Sequence, residues 1–436
     1  MAVRVPPVMR RVRSAIRGRP RLPARLHPRR TRLFIFLGLL GPGLIAANAG
    51  NDAGGVATYS SVGAKYGYQL LWTIVLITIS LAIVQMLAAR MGVVTGKGLA
   101  ELVREEYGIR WSVIATTAVL IANLGICISD FVAVGAALGL AGVPVQVSVP
   151  LAAIAIWTII VRGSYRSAEK IFIWMTIPFF AYPIAAILAH PDWDSVAHGL
   201  VTPQLHTEPA FLLLLIATAG TTITPYMQLY LQSAVVERGV REEELGHEQR
   251  EAVAGSIFAN LIAAAIIIAT GATLYTHGIH NIGTAAEAAR ALSPFAGRYA
   301  EVLFGVGLLG ASLLACAILP IATSYVISES LGYEKGIGRA RGEAPVFVGI
   351  ITAMIVLSTI VAIIPGVPVI TLLVGVQVVN GLLLPINLFF IWRLSRSQSV
   401  MGEMRSGPTL GAASGITVAV ASALSIVLVV TTLASL

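Results

Sequence analysis

The stretch "AANAGNDAGGVATYSS", Ala46 to Ser61, decides how the chain is to be read. It lies inside an apolar run that begins at Leu33, yet it sets a carboxylate, Asp52, and two amides among glycines and alanines. An ionised carboxylate in the middle of a bilayer costs about 2.5–3.5 kcal/mol on insertion scales, so it normally faces a cavity or a partner. Glycine supplies the backbone freedom needed to unwind a helix at such a point. "GNDAG", Gly50 to Gly54, also has the small-xxx-small spacing that lets helices touch. Packing explains the glycines and leaves Asp52 unexplained.

The surroundings make this a membrane problem. Of 436 residues, 56% are hydrophobic and 12% charged, with a mean hydropathy of +0.83, whereas a soluble domain carries about 25% charged residues. Apolar runs long enough to cross a hydrocarbon core recur from Leu33 almost to Leu436. They do not alternate with period two, which excludes a β-barrel. The expected architecture is an all-α integral membrane protein. Eleven transmembrane helices are read at 33–61 (interrupted), 68–90, 111–140, 147–161, 169–189, 209–237 (interrupted), 251–276, 299–329, 346–364, 368–392 and 410–434. The loops near 190–208, 238–250 and 277–298 are too short for a soluble domain. Cys127 and Cys316 fall inside apolar runs and read as packing residues.

The net charge of +9 is a matter of topology, with no nucleic-acid partner implied. With the N-terminus inside, 27 of the 30 Lys and Arg fall on the inner side, leaving Lys65, Arg290 and Arg298 outside. That asymmetry is the positive-inside rule, and it puts the C-terminus outside. Residues 1–32 form a basic cytoplasmic tail with no apolar core of a signal peptide. The tail serves as a topology determinant or an anionic-lipid contact.

A second break stands in "IATAGTTITPYMQLYLQS", Ile216 to Ser233, where Gly220, four threonines and Pro225 interrupt the sixth helix. Proline removes a helix donor and clashes with the preceding turn. Two interrupted helices at corresponding positions, first and sixth, imply two inverted five-helix repeats, 33–189 and 209–393, with the site between them. The eleventh helix, 410–434, is an addition.

Unwinding at Asp52 frees backbone carbonyls, Ala49 being the obvious one, and Thr221 offers another in the sixth helix. Thr224 adds a hydroxyl. From "LLVGVQVVNGLLLP" in the tenth helix, Gln377 and Asn380 supply either amide oxygens or interhelical hydrogen bonds. Asp130, in "ICISDFVAV", has no helix breaker beside it, so a structural hydrogen bond and a water-filled proton path serve equally. No Lys or Arg lies deep enough to pair with either aspartate, which leaves a bound cation or a proton as counter-charge. His206, His247, His277 and His280 fall in loops, which weakens proton symport. A set of hard oxygens suits Mg²⁺, Mn²⁺ or Ca²⁺.

"GPGLIAANAGNDAGG", "LAARMGVVTGKGLAELVREEYG", "SDFVAVGAAL" and "YLQSAVV" resemble segments of the Nramp family of divalent-metal transporters, and the resemblance runs from Gly41 to about Pro385. It implies a LeuT-like fold with discontinuous helices 1 and 6. It also implies a metal site built from Asp52, the Ala49 and Thr221 carbonyls, Thr224 and Gln377. The departures from the family pattern are informative. The family's motif asparagine is Gly55 here, its proline Ala53 and its methionine Thr224. A thioether favours softer transition metals over Mg²⁺ and Ca²⁺, so its loss removes that discrimination. Gly55 and Asn380 shape a roomier site for an ion that keeps several waters, as Mg²⁺ does. Family histidines fall on Tyr226 and Gln232, and family glutamates on Ala133 and Asn123. Helix nine, "VFVGIITAMIVLSTIVAIIP", lacks the arginine of the family's proton route. This pattern resembles the Nramp-related magnesium transporters of bacteria.

The expectation is therefore a bacterial inner-membrane carrier, functional as a monomer, importing Mg²⁺ and Mn²⁺ by alternating access without proton coupling. The ion is its substrate and it holds no cofactor. A proton-coupled Mn²⁺/Fe²⁺ symporter using Asp130 is the alternative. A sodium-coupled amino-acid transporter shares the architecture but not the stretch after helix two. An intramembrane aspartyl protease needs a carboxylate pair sharing a proton and a Gly-x-Gly-Asp signature, which is absent. Two broken helices favour a transporter over a channel.

Overall fold

A backbone in hydrocarbon must satisfy its own hydrogen bonds, and the apolar runs do so as helices. The computed structural model describes residues 51–163, 171, 174, 180–290, 300–336 and 343–434, and among these there is no strand. In chain order the helices are α1 (Ala53–Tyr66), α2 (Leu71–Thr95), α3 (Leu99–Tyr107), α4 (Ile109–Gly139), α5 (Val145–Arg162), α6 (Ala181–Leu188), α7 (Trp193–Val201), α8 (Pro209–Thr222) and α9 (Pro225–Arg238). They continue as α10 (Leu245–Thr273), α11 (Ala285–Arg290), α12 (Ala300–Leu331), α13 (Pro345–Ala362), α14 (Val369–Arg396), α15 (Gln398–Met401) and α16 (Pro408–Ala434).

Among the described residues nine helices are long and apolar enough to cross a membrane, with α8 and α9 together as one span. The first half of helix one and much of helix five lie outside the described residues. The basic tail, residues 1–32, lies outside them as well.

The described helices differ in places from those read in the sequence, and α7 and α11 lie in segments read as loops. Helix α2 runs on to Thr95, because Met91–Val94 stay apolar, and stops at Gly96 in the left-handed conformation, φ 64°. Leu99–Tyr107, read as loop, is the short amphipathic α3, which buries Leu99, Ala100, Leu102 and Val103. Helix α10 begins at Leu245, a full turn and a half before the apolar run, so His247 stands in its first turn on the exposed surface rather than in a loop.

Helices α4, α8–α9 and α12 form the buried centre, while α5, α13, α14 and α16 turn much of their surface outward to lipid. Helix α12 packs along α4, α10 along α1 and α2, and α8 along α14. The last pair touches backbone to backbone. A Cβ at Gly220 would fall 2.3 Å from the Gln377 carbonyl oxygen and 2.5 Å from the Gly381 nitrogen. A small residue is what permits such an approach.

Candidate metal-binding site

The site grows from two helix ends. Asp52 caps α1 from an extended conformation, φ −62° and ψ 179°, and its Oδ1 accepts the Gly55 N–H at 2.7 Å. The preceding residue, Asn51, donates its amide to the Ala259 carbonyl on α10 at 2.8 Å and so fixes the chain where the helix begins.

The second end is the break between α8 and α9. Pro225 opens α9, lacks a donor and holds Thr224 extended, φ −67° and ψ 133°. The last carbonyls of α8 have no helical partner there. The Thr224 hydroxyl donates to the Thr221 carbonyl at 2.7 Å and lies 3.2 Å from that of Gly220. The Asn380 amide of α14 also donates to the Gly220 carbonyl.

Gln377 of α14 closes the site. Its Nε2 donates to both oxygens of Asp52, at 3.1 and 3.2 Å. Of the two roles open to Gln377 in the sequence, cation ligand or interhelical hydrogen bond, the structure has the second: the nitrogen faces Asp52, while Oε1 lies 3.5 Å from the Asn380 amide nitrogen. Gly54 allows this approach, since a Cβ there would fall 2.1 Å from Nε2. Asp52, Thr221, Thr224, Gln377 and Asn380 are all fully buried. Gly55 is buried too and contributes its N–H, not a side chain. Ala49 lies outside the described residues.

Asp130 on α4 reaches the same place. Its Oδ1 accepts the Ala53 N–H at 3.0 Å, so the first free donor of α1 is capped from a neighbouring helix. Its Oδ2 is buried without a hydrogen-bond partner. None of the ion pairs formed among the described residues involves Asp52 or Asp130.

Electrostatically, Asp52 stands at the N-terminus of α1, and α1 packs against α8 and α14. Helix N-termini favour anions, and C-terminal carbonyls favour cations. Asp52 accepts the Gly55 N–H and the Gln377 amide, while the Thr221 and Gly220 carbonyls and the Thr224 hydroxyl gather at the break between α8 and α9. The resulting donor set consists of hard oxygens that suit a divalent cation.

The residues at the family's titratable positions have other work. Asn123 donates to Thr323 at 2.9 Å, tying α4 to α12, and Gln232 donates to the Lys97 carbonyl at 2.9 Å. Tyr226 and Ala133 are fully buried. The outer halves α1 and α8 are joined by Tyr59 to Thr222 at 2.8 Å and by Tyr66 to Glu208 at 3.3 Å. Sequence reading missed the Asn51, Ala53 and Tyr59 contacts, since each joins residues at least 77 positions apart.

Known structures share the fold. The Eremococcus coleocola manganese transporter, in complex with an aromatic bis-isothiourea substituted compound, superposes with a TM-score of 0.76 at 18% identity, covering 93% of this chain and 88% of the other. MhsT in complex with L-phenylalanine gives 0.62 at 15% identity, covering 89% of this chain and 97% of the other. These likenesses establish the LeuT-like fold. Among relatives, a divalent metal cation transporter MntH of Ralstonia nicotianae is 31% identical over 396 residues, covering 84% of this chain and 85% of its own. That of Bacillus subtilis is 29% identical over 415 residues, covering 91% and 92%. The family model described as natural resistance-associated macrophage protein-like matches residues 43–431, and the chain belongs to the Nramp family.

Proposed function

We propose that the protein carries divalent metal ions across a bacterial inner membrane, taking Mg²⁺ as well as Mn²⁺, by alternating access and without proton coupling. Membership of a transporter family supports the general activity and argues against an enzyme. The ion is cargo rather than cofactor. In the proposed orientation the N-terminus is cytoplasmic and the C-terminus outside, as the distribution of basic residues implies. One chain supplies every proposed ligand, so a monomer suffices.

The observation that carries the Mg²⁺ reading is Thr224. At the helix break it offers an oxygen where a thioether would select softer metals, and it holds the Thr221 carbonyl at the same time. Asp52 is the one charged ligand, with the Ala49 and Thr221 carbonyls and Thr224 as further donors. Gln377 takes part by turning Oε1 inward when a cation replaces its N–H contacts. Mg²⁺ is usually bound through one or two carboxylates with waters retained, which agrees with a single Asp.

Two observations support an uncoupled mechanism. Asp130 is engaged with the Ala53 N–H, and α13 contains no basic residue that could relay a proton. The membrane potential alone suffices, at roughly 2.3 kcal/mol per charge per 100 mV, doubled for a divalent ion. Proton-coupled Mn²⁺ import is the second reading, favoured by the MntH names of the relatives. Reconstitution in liposomes separates the two. Mg²⁺ and Mn²⁺ entry without internal acidification is expected, and acidification tracking Mg²⁺ uptake would overturn the uncoupled reading.

A further inference from the structure

A cavity of about 500 Å³ opens where α3, α9 and the C-terminal end of α12 meet, away from Asp52. Glu101, Ser233, Tyr325, Ser328, Glu329 and Lys335 line it. The Lys335 ammonium bridges two carboxylates, Glu101 at 3.1 Å on α3 and Glu329 at 3.0 Å on α12. One ammonium between two carboxylates leaves the triad negative. The same Glu329 Oε1 also accepts the Ser233 hydroxyl of α9 at 2.9 Å.

Three oxygens on this wall have no hydrogen-bond partner: Oε2 of Glu329, the Ser328 hydroxyl and the Tyr325 hydroxyl. Their residues are 3%, 0% and 2% exposed. A buried oxygen left without a partner costs about 1–3 kcal/mol, so three beside one cavity ask for an occupant. The carboxylate packs against the Gly98 backbone, a contact that only a glycine permits. A Cβ there would fall 1.9 Å from Oε2 and 2.0 Å from Oε1.

We infer that this cavity is a second cation site, taking a hydrated divalent ion of the Mg²⁺ class between Glu329 and Glu101 with the Ser328 and Tyr325 hydroxyls around its waters. Among the described residues no three His, Cys, Asp or Glu cluster as a dehydrated metal site would require. Mg²⁺ does not need them, because it keeps several waters and binds through one or two carboxylates. Six waters at roughly 30 Å³ each occupy about 180 Å³, well within the cavity. The ion competes with Lys335, whose side chain is one-quarter exposed. Occupancy then replaces the ammonium as the tie between α3 and α12. In the proposed orientation this end faces the cytoplasm, so the site senses internal divalent cation on the release side of the carrier.

Purified full-length protein carrying Asp52→Ala, which removes the central ligand, tests the inference by Mn²⁺ titration followed by electron paramagnetic resonance. One Mn²⁺ per chain is expected to remain, displaced by excess Mg²⁺. It should be lost in Asp52→Ala/Glu329→Gln, weakened in Asp52→Ala/Glu101→Gln and bound several-fold more tightly in Asp52→Ala/Lys335→Gln. Glu101 and Lys335 lie at the cavity mouth, so their variants remain informative should the Glu329 variant fail to fold. Absence of Mn²⁺ from the Asp52→Ala protein, or retained Mn²⁺ indifferent to all three substitutions, would show that the cavity holds water alone. Failure of the central site reads differently, as wild type binding no more Mn²⁺ than Asp52→Ala.

Discussion

At the scale of single residues, Gly54 matters because its missing side chain is what lets Gln377 reach Asp52. In Gly54→Ala the new methyl meets the end of a flexible side chain, so folding is expected to survive at a cost of about 1 kcal/mol, at the low end for overpacking. The Gln377–Asp52 contact is expected to break, and uptake in proteoliposomes to fall. If the two residues act through this contact alone, Gly54→Ala adds little to Gln377→Ala in a double-mutant cycle. Thr224→Met puts a thioether at the break between α8 and α9 and removes the hydroxyl that holds the Thr221 carbonyl. Competition between Mn²⁺ and Mg²⁺ uptake should shift toward Mn²⁺ by about tenfold, the equivalent of ~1.4 kcal/mol for one changed ligand. An unchanged ratio would mean that residue 224 does not contact the ion.

At the scale of elements, α1 is held at its start by three contacts: its own Asp52, Asn51 to α10 and Asp130 from α4. Asp130→Asn keeps an acceptor for the Ala53 N–H, and for an uncoupled carrier Mg²⁺ flux should stay near wild type. Asp130→Ala leaves that donor buried and unpaired, at about 1–3 kcal/mol, and both thermal stability and flux should drop. A proton carrier at this position would instead lose transport in both variants. Much of this element was legible in the sequence, because a charge amid glycines in an apolar run marks a break wherever it occurs. Pro225 marked the second break for the same local reason. What Asp130 does was not legible, since its partner is a backbone N–H 77 residues away that exists only once α1 is capped. The orientation of Gln377 was hidden too, because either end of an amide can serve a carboxylate site. The α3 helix was missed because nine amphipathic residues between glycines read equally well as loop.

For the whole molecule, the proposed orientation and the buried site around Asp52 make two joint demands. The first is orientation. Cys127 and Cys316 are fully buried, so a cysteine added to the surface reports its own side. Thr207→Cys, exposed before α8, should react with an impermeant maleimide in intact cells, and Glu243→Cys, exposed between α9 and α10, only after permeabilisation. The reverse labelling would invert the topology and place the cavity beside Glu329 on the outer face. The second demand is energetic. A divalent ion held by one carboxylate leaves the loaded site with a single net positive charge, so the field acts on the loaded carrier. Each imposed 100 mV, inside negative, supplies roughly 4.6 kcal/mol to a divalent ion that crosses the whole field. Uptake into liposomes clamped with a potassium gradient should therefore rise with potential and stay flat when only external pH is varied. Dependence on pH at fixed potential would reassign part of the driving force to a proton, and Asp130 would be its first candidate carrier.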